Sequence, residues 1–239
     1  MDAMLEVKDF VKHYGRFQAV RGISFTVREN EIFGLIGPNG AGKTTTLRVI
    51  ATLLQITEGN ISVFGHDIGK EANQVRKIIS YLPEDAGAYK NLTGREYLTF
   101  MARFFGNGET VRRMVKKGTS ITDLGDRMDD KVDTYSKGMM RRLMIGRALM
   151  ADPKLAILDE PTSGLDVINA QEIRGIIKET AAGGTSVLLS SHNMLEVEFL
   201  CDRIALIDHG EIVEEGNPHD LMEKYDARNI EEVFMEVVR

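Results

Sequence analysis

Cysteine occurs once in these 239 residues, so no disulfide framework holds the fold together. That residue, Cys201, sits in EVEFLCDRIAL among apolar neighbours. It is expected to be a small buried hydrophobe in a reducing compartment, with a reactive thiol as the alternative. No stretch approaches the roughly 18 consecutive apolar residues of a spanning helix, and MDAMLEVKDF opens on acids rather than the basic-then-apolar order of a secretion signal. No direct membrane insertion is expected, although a partner that spans the bilayer is compatible with this composition. Positive charge is not in excess either: 30 Lys and Arg face 36 Asp and Glu, for a formal charge of -6. The basic residues are scattered among acids, whereas nucleic-acid binding depends on clustered cations that release counterions. No nucleic-acid partner is expected. Internal repeats, heptads and low-complexity tracts are missing as well.

What is present is a globular composition, 43 % hydrophobic and 28 % charged, long enough for one large domain or a domain with an inserted lobe. The first 35 residues alternate apolar and polar in LEVKDF and ISFTVREN, the period of an antiparallel sheet solvated on one face. EIFGLIG is a short apolar strand ending in glycines, TTTLRVIATLL then has a helical pattern, and GNISVFGHD is one more strand. From about residue 87 to 150 the pattern turns helical, with EYLTFMARFFG and KGMMRRLMIGRALMA carrying apolar residues at three and four spacing. Strands return in KLAILDEP, TSVLLSSH and RIALIDHGEIV around the helix INAQEIRGIIKETA, which implies a parallel sheet with crossovers.

GPNGAGKTT runs through Gly37, Pro38, Asn39, Gly40, Ala41, Gly42, Lys43, Thr44 and Thr45 and fits GxxxxGK[ST] between a strand and a helix. Its glycines let backbone N–H groups curl around phosphate oxygens, and the following helix points its positive end at them. Lys43 would reach the β and γ phosphates and the Thr44 hydroxyl would ligate Mg²⁺. LAILDEP is an apolar strand ending in two acids. Asp159 is placed to hold Mg²⁺ through water, and Glu160 to orient and deprotonate the water that attacks the γ phosphate. A second anion site is written in TYSKGMMRR, where Ser136, Lys137 and Gly138 precede a helix. Ser136 would also serve as a plain N-cap.

GPNGAGKTT, YLPE, YSKGMMRR, AILDEP, SGLD and SSH, in that order over nearly the whole chain, resemble the ATP-binding subunit of an ABC transporter. The resemblance implies an α/β P-loop NTPase (RecA-like) fold with a mostly parallel sheet, an N-terminal antiparallel β subdomain and an inserted helical lobe. The core lobe would take residues 1–86 and 151–222, the helical lobe 87–150 and a short tail 223–239. It implies ATP and Mg²⁺ as cofactors and a head-to-tail dimer, each ATP lying between one subunit's cradle and the other's signature motif. Ser136 and Gly138 would then bind the γ phosphate held by the partner's cradle. By the same carry-over Tyr14 in KHYGRF would stack on adenine, His192 would touch the γ phosphate and Asp166 would lie at the dimer seam. Tyr14 also reads as an exposed turn residue and Asp166 as the N-cap before VINAQEI.

Two departures stand out. Lys137 and Met139 replace the second glycine and the glutamine of the commonest signature, LSGGQ, and Glu84 replaces the glutamine of YLPQ. Glutamate ligates Mg²⁺ through oxygen, and YLPE is shared with some drug-exporter relatives, as is an ending like NIEEVFMEVV. The resemblance thus favours export over import, through a separate transmembrane permease. The protein would sit in the cytoplasm, peripheral on the inner face of the cell membrane, as a homodimer or paired with a paralogue. An ABC-type ATPase of DNA repair or translation is the alternative, but it predicts coiled-coil insertions, zinc modules or tandem ATPase domains, none of which is seen here. A P-loop GTPase or kinase predicts NKxD and leaves YSKGMM unexplained.

Overall fold

The computed structural model describes residues 3–238. The chain opens with β1 (Ala3–Tyr14), β2 (Phe17–Arg28) and β3 (Ile32–Ile36). The glycine loop leads into α1 (Lys43–Ile50), followed by β4 (Glu58–Val63), β5 (His66–Asp67), α2 (Ala72–Ile78) and β6 (Ile79–Leu82). A purely helical stretch follows: α3 (Gly94–Ala102), α4 (Glu109–Thr122), two 3-10 turns and α5 (Lys137–Leu149). The chain then alternates through β7 (Leu155–Asp159), α6 (Val167–Ala182), β8 (Ser186–Ser191), α7 (Met194–Val197), β9 (Arg203–Asp208) and β10 (Glu211–Gly216). It closes with α8 (Pro218–Lys224) and α9 (Ile230–Val237).

Two sheets result. The half-buried alternation of β1 and β2 gives an antiparallel four-stranded sheet in the order β2-β1-β4-β5. The fully apolar runs give a six-stranded sheet in the order β10-β9-β3-β8-β7-β6, parallel except for its β10 edge. Every residue of β3, β7 and β8 is buried, as expected for strands covered on both faces. Period-two geometry divides β3 between two cores. Ile32 and Ile36 join the one built with the helices, while Phe33 and Leu35 join the one built with α1 and the antiparallel sheet. This is an α/β fold of the P-loop NTPase class.

Two local differences from the periodicity have physical causes. The helix expected over TTTLRVIATLL ends at Ile50, because Thr52 turns to φ +60° and the amides of Leu53 and Leu54 fold back onto the Arg48 carbonyl. The α2–β6 pair carries no periodic signal: α2 buries only Val75, and β6 has four residues. Within the helical stretch, α4 and α5 approach closely at Gly118 and Gly146, where a Cβ on Gly146 would lie 2.5 Å from Thr122 Cγ2.

Candidate functional site

Strand order positions the chemistry. In the parallel ladder Ile36 of β3 lies beside Ser191 of β8, and Ser190 lies beside Asp159 of β7. The carboxyl ends of three neighbouring strands therefore open at one place, the usual position of a ligand in an open α/β sheet. The loop Gly37–Gly42 leaves β3 there. A Cβ on Gly37 would sit 2.0 Å from the Ile207 carbonyl oxygen, so only glycine fits. Gly40 and Gly42 take φ of +85° and +106°, the left-handed region that glycine enters without strain. Among the described residues no side chain caps α1, which leaves its first amides available to an anion. Pro38, Asn39 and Gly40 are exposed, Ala41 is buried, and Thr45 is half-buried.

Lys43 is 5 % exposed and turns back into the loop, its Nζ donating to the carbonyls of Gly37 (2.7 Å) and Pro38 (3.1 Å). The same Nζ lies 3.4 Å from Glu160 Oε1. Asp159, at the end of β7, is held by three hydroxyls: Thr44 Oγ1 (3.1 Å) and Ser190 Oγ (2.6 Å) donate to its Oδ1, Tyr81 (3.2 Å) to its Oδ2. Glu160 has φ +48°, a conformation uncommon for a residue with a side chain and worth of order 1–3 kcal/mol of strain. Its amide donates to Ser190 Oγ (3.0 Å), and its Oε2 accepts from the His192 amide (3.3 Å) and lies 2.8 Å from His192 Nδ1. A cleft of about 210 Å³ opens beside Glu160 and His192, bounded by Ser163, Gly164 and Asn193. A larger hollow of about 460 Å³, lined by Lys117, Arg142 and Glu172, has neither the cradle nor the two acids.

Lys43, Thr44, Asp159, Glu160 and His192 thus meet in one place. The other sequence-selected residues have different surroundings. Glu84 accepts from Ser163 Oγ (2.9 Å) through Oε1, and its carbonyl accepts from Arg141 (2.8 Å). Tyr14 ends β1, 46 % exposed, with Lys12 Nζ 5.4 Å from its ring centre. Ser136 caps α5 by accepting from the Met139 amide (3.2 Å). Gly138 packs so closely on Asn169 that a Cβ would stand 2.0 Å from Asn169 Oδ1. Asp166 caps α6, accepting from the Asn169 amide (3.0 Å), which holds its carboxyl below the usual range. Sequence reasoning passed over Ser190 and Tyr81; both lie within recognised motifs, SSH and YLPE, but only the ladder register brings them onto Asp159.

Among the described residues no three His, Cys, Asp or Glu side chains form a metal cluster. The Thr44 hydroxyl against the Asp159 carboxylate is a hard-oxygen pair, and it suits Mg²⁺, an ion that retains several water ligands and takes others from substrate phosphates.

Comparison with known proteins agrees with this geometry. The family described as ABC transporter matches residues 20–163. The linearmycin resistance ATP-binding protein LnrL of Bacillus subtilis (strain 168) is 42 % identical over 91 % of this chain and 70 % of its own. The Nod factor export ATP-binding protein I of Burkholderia orbicola (strain AU 1054) is 36 % identical over 97 % of this chain and 77 % of its own. A solved ATP-binding subunit of an ABC transporter superposes with a TM-score of 0.86 at 29 % identity, covering 99 % of this chain and all (100 %) of that one. With the glycine cradle, the strand-end acids and the signature helix all in place, the chain belongs to the ABC transporter family, as an ATP-binding subunit.

Proposed function

We propose that this subunit hydrolyses ATP at a seam between two ATPase subunits and thereby drives export through a separate transmembrane permease. One observation carries the shared seam. Lys43, Thr44, Asp159, Glu160 and His192 converge on one strand-end site. Among the described residues, no hydrogen bond or ion pair joins Ser136 or Gly138 to the loop at residues 37–45. A second anion site left over in one chain is best used on the nucleotide of another.

In this reading Gly37–Thr45 cradle the triphosphate through backbone amides, and Lys43 exchanges its carbonyl and Glu160 contacts for the β and γ phosphates. Thr44 and Asp159 would hold Mg²⁺, with Glu84 as a further oxygen ligand through its second carboxylate oxygen while Oε1 keeps the Ser163 hydroxyl. When bound, the ion offsets the phosphate charge. Glu160, held through Oε2 by His192, takes the proton of the attacking water. His192 lies against it and reaches the γ phosphate. Tyr14 offers its exposed ring to adenine, a contact that discriminates little between bases. Ser136, Gly138 and Asp166 come from the partner subunit's side of each seam. The pair is two identical chains or this chain with a paralogue.

Residues 87–150 form, on this reading, a helical lobe that faces the permease. Tyr89, Phe100 and Phe104 stack edge to face at 5.5 and 5.3 Å and stand exposed there, an apolar surface suited to a protein partner. Among the described residues no helix is long and apolar enough to cross a membrane. The permease would hold the subunit at the cytoplasmic face. The names of the relatives, linearmycin resistance and Nod factor export, support export, and transport over DNA repair or translation.

Replacing Glu160 by Gln tests the reading. The variant is expected to bind ATP, to lose at least about 10²-fold in kcat and to accumulate as a dimer seen by light scattering. Hydrolysis at near wild-type rate would remove Glu160 from its role.

A further inference from the structure

Arg141 on α5 is 7 % exposed, and among the described residues its NH1 has no hydrogen-bond partner. Burying a guanidinium is expensive unless it is paired and hydrogen-bonded. Its NH2 donates to the Glu84 carbonyl at 2.8 Å. The Glu84 carboxylate accepts from Ser163 Oγ at 2.9 Å, and the Ser163 amide donates to the Glu160 carbonyl at 3.1 Å. These links form one continuous chain from the helix capped by Ser136 to the residue proposed as general base.

Arg141 is five positions after Ser136, so the two stand within about 8 Å along the axis of a single rigid helix. We propose that Arg141 is a positioning residue that couples the two nucleotide sites of the dimer, transmitting the engagement of Ser136 with one ATP to Glu160 beside the other. The inference rests on the shared-seam reading above. Each subunit's α5 serves the partner's nucleotide, whereas Glu84 and Glu160 serve its own. A displacement of α5 on closing therefore moves Glu84, and Ser163 carries that to the main chain of Glu160. Burial lowers the pKa of Arg141, and the charges of Glu84, Asp85, Asp159 and Glu160 oppose the shift.

The test is cooperativity. ATP titrations of hydrolysis, and of dimerisation in the Glu160→Gln background followed by light scattering, give Hill coefficients with an upper limit of about 2 for two sites. Arg141→Met, similar in length but without donors, is expected to bring the coefficient to about 1. Arg141→Lys, which can still donate to the Glu84 carbonyl, should restore most of it. Ser163→Ala should lower it as well, and combining it with Arg141→Met should add nothing. A folded Arg141→Met protein with wild-type cooperativity overturns the proposal and leaves the role of Glu160 standing. Should the methionine variant not fold, Arg141→Gln takes its place, polar enough for the site but too short for the carbonyl, and unchanged cooperativity there is equally fatal. A wild-type protein that neither dimerises with ATP nor shows cooperativity would overturn the shared seam and this coupling together.

Discussion

Tyr81 holds the second oxygen of Asp159, and its own environment makes it a reporter of the site. Burial pushes the phenol up to about 12, Asp159 adding to the effect and Arg48 opposing it. Because the folded protein binds this proton more tightly than the unfolded chain, the contribution is complete below pH 10 and is lost as pH climbs from about 10 to about 12. Tyr81→Phe is expected to lose about 1 kcal/mol at pH 8. In urea unfolding the gap to wild type should then narrow between pH 10 and pH 12. A gap constant across that range would mean that the phenol is ordinary. Residues such as Tyr81 and Ser190 were not legible individually, because a hydroxyl in a motif acquires its meaning from the strand beside it. Lys43, Thr44, Asp159 and Glu160 were legible because each stands at a strand exit or helix start that the pattern itself marks.

At the scale of an element, α5 poses the question of cap or ligand. Ser136 caps it by accepting from the Met139 amide, and loss of such a cap costs about 1 kcal/mol. Substitution by alanine confounds the two roles, since a weaker helix and a lost phosphate contact both reduce activity. Ser136→Asp separates them. Aspartate caps as well as serine, so thermal melting is expected within about 2 °C of wild type. The added charge repels a γ phosphate, so ATP-driven dimerisation should disappear. A variant that melts normally and still dimerises would leave Ser136 as a cap alone. Elements were readable in proportion to how much they bury. β3, β7 and β8 are apolar throughout and stand out, whereas α2 with one buried residue and β6 with four residues leave almost no trace. The end of α1 was hidden because leucines continue past it, Leu54 into a core and Leu53 into solvent.

The whole molecule presents two helix starts proposed to bind anions, those of α1 and α5, and among the described residues no hydrogen bond or ion pair joins Ser136 or Gly138 to the loop at residues 37–45. Their distribution predicts complementation. Mixing Lys43→Ala with Ser136→Arg subunits gives heterodimers in which one seam has both defects and the other has neither. With random pairing, independent seams would give about a quarter of wild-type specific activity, and the coupling through Arg141 proposed above brings the expected value below that limit. A mixture no more active than either variant alone, with both shown to fold, would argue against a shared seam. This level was legible only through the resemblance, since one chain's periodicities say nothing about a second copy.

The contact between Lys43 and Glu160 bears on what a substitution at either residue does. Side-chain exposures of 5 % and 7 % mean that each charge has the other, rather than water, as its surroundings. Under the proposed function, a triphosphate reaching Lys43 exchanges one buried counterion for another. Affinity then measures the difference between two good arrangements. A substitution at either residue perturbs the unloaded as well as the loaded ground state.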